Sequence, residues 1–334
     1  DISGTWQMET LQVSGTVTLG EDGIIIPGDI WTWANGWTET LTAGTYQMCA
    51  DGSVVLQGNT SDGPFHFHGI LRQKGDIISL RDIPALEAPD RGLGFLIRKG
   101  NNYSLMDLSG WWCVKGTALS GYIQTDGAGT ITGSEWILPD GTTQPITGGT
   151  YTIDPETGTI TLQVVAGEKS YSFLGVLNKA RDIAILRNEP PAGPRQFGIT
   201  GNELVILVKS VNRTFESKDI SGCWEITAMH FRGTIVADAS GVITQGTLID
   251  DGGNIRNITG GTCSLNSDGE LFLHLSADDD TFSFRGVMSP YKDFIVFVES
   301  LTGPEITDRN LGTLTRYQPA MAVANDSRPG EENS

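Results

Sequence analysis

Few side chains in this sequence are arranged as chemistry requires. His66 and His68 stand two apart in Phe65-His66-Phe67-His68-Gly69, a spacing that puts both on one face of a strand, where two imidazoles can chelate a metal. No third ligand is close by. The intervening Phe67 takes the opposite, inner face, so the pair reads as two solvated side chains pointing outward. Asp250-Asp251 and Asp278-Asp279-Asp280 offer the oxygen ligands that calcium takes. Their spacing fits no calcium loop, and both runs fall where turns are expected, positions that favour Asp for its local hydrogen bonds. Four cysteines (Cys49, Cys113, Cys223 and Cys263) form neither a Cys-x-x-Cys nor a zinc spacing. Three disulfide pairings, or buried free thiols, stay open. There are four His, none at a repeated position, and no Gly-x-Ser-x-Gly, His-Glu-x-x-His or phosphate loop. No catalytic residue, metal or cofactor is assigned, and the chain is read as a non-enzyme.

The elements that must carry these residues come in three copies. Asp1-Ile2-Ser3-Gly4-Thr5-Trp6 returns as Asp107-Leu108-Ser109-Gly110-Trp111-Trp112 and again as Asp219-Ile220-Ser221-Gly222-Cys223-Trp224. Later landmarks keep the same order. Ala43-Gly44-Thr45-Tyr46 corresponds to Gly148-Gly149-Thr150-Tyr151 and Gly260-Gly261-Thr262-Cys263. Asp76-Ile77-Ile78 corresponds to Asp182-Ile183-Ala184 and Asp293-Phe294-Ile295. The offsets, 106 and 112 residues, are too long for a solenoid repeat, so each copy is expected to be a domain: 1–106, 107–218 and 219–318, with a polar tail over 319–334. Connections are expected near Asn101-Asn102 and Asn212-Arg213.

Within each copy the apolar residues alternate and Gly beside Asp or Asn punctuates them, the pattern of antiparallel hairpins. Gly23, Gly129 and Gly241 mark one turn; Asn35-Gly36, Asp140-Gly141 and Asp251-Gly252 mark the next; Gly52, Gly158 and Gly269 mark another. About eight strands result per copy, with no helical periodicity. The fold class is therefore all-β: three tandem antiparallel meander barrels of about eight strands, closure removing the exposed edges. A flat sandwich is the alternative.

Each copy opens on Gly-x-Trp and ends on a basic residue: Leu96-Ile97-Arg98, Leu207-Val208-Lys209 and Leu314-Thr315-Arg316. In this it resembles the lipocalins and their calycin relatives, and the Gly-Thr-Trp start is similar to that of avidins. The resemblance implies that the indole of the first strand packs under the cation of the last: Trp6 with Arg98, Trp112 with Lys209, and Trp224 with Arg316. A cation over an indole face is favourable, and first and last strands must meet to close a barrel. The helical opening usual in lipocalins is not visible here.

Trp31, Trp33 and Trp37 set the first copy apart. Trp31 aligns with Trp136 and Ile249, and Trp33 with Leu138 and Asp251. These indoles either fill the first barrel or form an exposed patch for a sugar or a neighbouring subunit.

Composition bounds the role. The chain has 334 residues, 22 Lys+Arg against 40 Asp+Glu and a net charge of −18, which argues against nucleic acid. With 38% hydrophobic residues it can build cores, yet no apolar run approaches the ~18 residues of a membrane-spanning helix. An opening Asp1, 43 glycines and an acidic surface fit an extracellular or cell-surface protein whose leader has been removed, with the periplasm as the other compartment. The expected function is structural, a subunit of an extracellular filament or surface assembly built of three rigid barrels in series. The alternative is a calycin-like carrier of a small apolar ligand or sugar. The expected partner is a copy of itself, reached through the tail with Met321 and Val323 as apolar anchors.

Overall fold

The structure, a computed structural model, describes residues 1–83, 92–188, 203–211, 213–278, 280–300 and 310–317. The expectations placed on Asn212, Asp279, Met321 and Val323 lie outside these described residues. Three separate antiparallel sheets account for the strands.

Barrel one comprises β1 (Gly4–Thr10), β2 (Val13–Leu19), β3 (Ile24–Ile25), β4 (Ile30–Trp33), β5 (Thr38–Met48), β6 (Ser53–Thr60), β7 (Gly63–Leu71), β8 (Ile77–Asp82) and β9 (Leu93–Arg98). Both β3 and β4 lie between β2 and β5, so nine segments fill eight positions of a ring that closes where β1 meets β2 and β9. The break follows from Pro27, which has no N–H, and Gly28, at φ 106. Asp29 stitches the gap: Thr16 Oγ1 and Thr18 N each donate to its carboxylate at 2.7 Å.

Barrel two comprises β10 (Gly110–Gly116), β11 (Ser120–Thr125), β12 (Thr130–Ile137), β13 (Thr143–Ile153), β14 (Thr159–Ala166), β15 (Lys169–Leu177), β16 (Ile183–Asn188) and β17 (Leu204–Lys209). Barrel three comprises β18 (Gly222–Ala228), β19 (Phe231–Ala237), β20 (Ile243–Asp250), β21 (Ile255–Leu265), β22 (Glu270–Ala277), β23 (Asp280–Met288), β24 (Phe294–Glu299) and β25 (Leu311–Tyr317). Both are closed eight-stranded rings, not the flat sandwich.

Several sequence expectations need correction. A single 3-10 turn precedes the first strand of barrels two and three, at Leu105–Leu108 and Ser217–Ile220; four residues are too few to leave a periodicity. Trp31 and Trp136 face Gly15 and Gly121 across the ladder, and the residue facing Gly233 is Leu248, so Trp31 corresponds to Leu248 rather than Ile249. Likewise Trp33 corresponds to Asp250. The left-handed residue of that turn in barrel three is Gly253, at φ 78, matching Gly36 and Gly141.

The barrels are not in series. The last two strands of each are buried on both faces, and their outward apolar residues make one further core that belongs to all three. Ile77, Phe95 and Ile97 from barrel one meet Ile183, Ile206 and Val208 from barrel two and Phe294, Val296 and Leu311 from barrel three. Contacts run in cyclic order: β1 lies against β16, β10 against β24, and β18 against β8.

Candidate functional site

The barrel mouths are closed in the same way three times. Trp6, Trp112 and Trp224 are fully buried and face Arg98, Lys209 and Arg316 across the ladder. The cations stand 4.6, 5.4 and 4.4 Å from the indole centroids. Each indole N–H donates to the carbonyl four residues earlier, Ile2, Leu108 or Ile220, at 2.8, 2.7 and 2.6 Å. The cations also bind the entering chain: Arg98 donates to Ser3 O, Lys209 to Asp107 O, and Arg316 to Ser221 O.

Large side chains occupy the lumens, as eight strands allow. Trp6, Trp31, Phe65 and Phe67 fill barrel one; Trp112, Trp136, Tyr151 and Phe173 fill barrel two; Trp224, Phe231, Phe284 and Phe297 fill barrel three. Trp31 lies 5.0 Å from Phe65 between ring centroids and is 1% exposed. It is a core residue and cannot serve the interface considered for it. Trp33 is half-buried against the same core. Trp37 is exposed, with its ring 6.3 Å from that of Trp33.

Where the three barrels meet, Arg72 is completely buried. It follows β7, and the corresponding residues after β15 and β23 are Asn178 and Ser289. Each opens the same turn, its N–H donating to the carbonyl of Ile77, Ile183 or Phe294. Each turn also delivers one buried aspartate: Asp76, Asp182 and Asp293. Arg72 holds Asp182 in a two-pronged pair at 3.0 and 2.6 Å and Asp293 through Nε at 3.0 Å; Asp76 is 3.7 Å away. Asn178 Nδ2 donates to both Asp76 and Asp182 at 2.8 Å, and Ser289 Oγ donates to Asp293 at 3.0 Å. Burial works against the Arg72 cation, but Asp182, Asp293 and Asp76 together raise its pKa. Burial raises the pKa of Asp76, with Arg72 opposing and Asp182 adding. This cluster is buried and bonds residues of all three barrels to one another.

The barrel junctions carry further polar links. Arg187 of barrel two reaches Glu9 at 3.2 Å and Ser14 at 2.6 Å in barrel one; Arg81 of barrel one reaches Asp251 of barrel three at 2.5 Å; Tyr122 of barrel two donates to Glu270 of barrel three. Burial pushes the Glu9 carboxyl up to about 7 against the pull of Arg187. It pushes Glu225 up to about 8, with Arg232 opposing and Asp51 adding.

The remaining candidates are local. His66 and His68 do point outward, opposite the buried Phe65 and Phe67. His68 is not simply solvated, however: burial, Arg232 and His66 lower its pKa. No group of three His, Cys, Asp or Glu able to hold a metal occurs among the described residues. Asp250 accepts from the Asn254 N–H in its turn, and Asp280 pairs with Arg256. All four cysteines are free, Cys49 exposed, Cys113 and Cys263 buried and Cys223 between.

No family model and no curated protein matches the chain. Among solved structures, a double mutant of the vaccine antigen transferrin binding protein B from Haemophilus parasuis overlaps 94% of this chain and 76% of its own at 10% identity and a TM-score of 0.29. A single mutant of that antigen gives 95%, 76%, 10% and 0.31. Intact Ap-TbpB, with its N and C lobes, gives 94%, 76%, 9% and 0.28. Overlaps of this size say nothing about what this chain binds.

Proposed function

We propose that this chain is a non-enzymatic scaffold of the cell exterior, a subunit of a surface assembly or filament that acts by offering its outer walls to other macromolecules. The observation that carries the reading is the pairing of filled lumens with a shared inter-barrel core. The interior of each barrel is spent on packing, and the barrels are locked to one another around Arg72, leaving the outside as the working surface. A carrier of small apolar ligands would need an interior volume of several hundred Å³. The lumens hold the packed side chains of Trp6, Trp112, Trp224 and their neighbours instead.

The test is sizing and electron microscopy of the native material on and around intact cells. Ordered assemblies or stable surface complexes are the expected result. An intracellular monomer with no companion, or turnover of a small molecule by the purified chain, would overturn the reading.

A further inference from the structure

The three repeats act as controls for one another, and one wall of barrel one departs from both others. Pairing registers and turn hydrogen bonds equate Ile24 with Thr130 and Val242, Ile26 with Thr132 and Thr244, and Ile30 with Glu135 and Thr247. The third hairpin turn equates Trp37 with Thr142 and Asn254. All four barrel-one residues point outward, 48%, 46%, 55% and 47% exposed. Folding does not require apolar residues here, since two sister barrels of the same topology use mostly Thr, Glu and Asn. Nor is the row a frayed end. Ile24 and Ile30 sit on β3 and β4 between β2 and β5, Ile26 directly follows β3 and Trp37 directly precedes β5, with Asp29 tying the broken strand back to Thr16 and Thr18.

The charge that the first copy itself places along this row has one sign, the nearest cation from a sister barrel being Arg187, which is held by Glu9 and Ser14. Residues 1–71 contain no Lys or Arg and eight Asp or Glu; every Lys and Arg of the first copy falls within 72–99, the part that includes the buried junction strands. Glu21 and Asp22, both exposed, form the turn beside Ile24, and the facing residues on β5 are the uncharged Thr40 and Thr45.

We propose that this wall is a docking surface for a cationic protein partner, whose apolar side chains lie against Ile24, Ile26, Ile30 and Trp37 while its Lys or Arg residues meet Glu21 and Asp22. The assignment rests on the scaffold reading above and gives that scaffold's partner a chemistry. An exposed apolar row with carboxylates at one end and uncharged polar residues along its side is the makeup of a protein interface, apolar at its centre and polar at its rim. A second copy of this wall would set like charge against like, and anionic lipid would be repelled by it.

The experiment titrates the full chain with two synthetic strand-forming peptides, one alternating Leu with Lys and one alternating Leu with Glu, following Trp emission. It compares the native sequence with a variant carrying Ile24→Thr, Ile26→Thr, Ile30→Glu and Trp37→Thr, the residues of barrel two, and separately with Glu21→Lys. The Leu/Lys peptide is expected to bind, and the four-fold variant to bind it about ten-fold more weakly, the scale of losing an interface anchor. That variant is the more acidic protein, so charge attraction elsewhere on the surface would change binding in the opposite direction. Glu21→Lys, which leaves the apolar row intact, weakens the same peptide. Equal binding by the native chain and the four-fold variant, equal binding of the two peptides, self-association abolished by the substitutions, or binding to neutral lipid vesicles instead would each overturn the proposal. If the native chain forms assemblies but binds the Leu/Lys peptide no better than the four-fold variant does, the wall inference fails and the scaffold reading stands. If no assembly is ever found, it is the scaffold reading that fails.

Discussion

Replacing Arg72 by Met probes the junction of the barrels most directly. Met keeps the apolar stem and removes the guanidinium, leaving Asp182 and Asp293 buried without their charge-assisted bonds, each of which contributes about 1.5–3 kcal/mol. Asp76, held mainly by Asn178 and the Ala180 N–H, loses less. The expected cost at neutral pH is therefore about 3–5 kcal/mol, the range seen when one member of a buried ion pair is removed. The deficit should depend on pH. Burial already raises the pKa of Asp76 and Arg72 opposes that rise, so with the cation gone the variant recovers stability as pH falls and loses it as pH rises through the raised pKa. Urea unfolding followed by Trp fluorescence reads this out, because Trp6, Trp112 and Trp224 place one buried reporter in each barrel. Adding Asp182→Asn and Asp293→Asn to Arg72→Met should restore most of the loss. A loss below about 1 kcal/mol, or a deficit equal at pH 5 and pH 8, would refute the view that this cation holds the barrels together.

Truncating Trp112 to Ala should cost about 3–5 kcal/mol by opening a cavity under Lys209, measured by the same unfolding curves. Glu225 has a folded pKa raised from 4.5 to about 8 by burial, so its contribution to stability is present below pH 4.5 and is lost as pH rises through 8. Glu225→Gln should remove that part of the pH dependence, and an unchanged slope between pH 5 and pH 8 would count against it. Native thiol titration should modify Cys49 quickly, whereas Cys263, pushed by burial up to about 12, and Cys113 should react only on unfolding.

The barrels could be read from the sequence because their signals are local. A turn glycine such as Gly23, Gly129 or Gly241 needs only its own backbone conformation, and all three are left-handed in the structure. The junction could not, because it joins residues more than a hundred positions apart. Arg72 has no counterpart in the other copies and looks like any basic residue after a strand. Two traces of the junction were nevertheless present. Asp76, Asp182 and Asp293 recur at one position, and the runs that follow, Ile183-Ala184-Ile185-Leu186 and Phe294-Ile295-Val296-Phe297-Val298, are apolar without alternation. Strands buried on both faces read this way. The one-residue misalignment in barrel three came from Asp250-Asp251-Gly252-Gly253, which offers two glycines for a single left-handed position. At the outer wall, Trp37 was a candidate from the start, whereas the isoleucine row escaped notice because alternating Ile in a strand is the ordinary mark of a core.

Arg72 also shows what joining the copies in one polypeptide makes available. Three identical subunits around an axis must place identical residues there. A trimer of the first copy would force three guanidiniums into the space that holds one, and a trimer of the second or third would gather three aspartates with no cation at all. A covalent chain escapes that restriction, so Arg72, Asn178 and Ser289 can each take a different task about one centre. The copies are therefore no longer interchangeable: replacing one by a duplicate of another would change the charge on the axis, and exchanging two of them would change which side chain meets which aspartate, so the order in which they are linked is itself part of what the fold specifies.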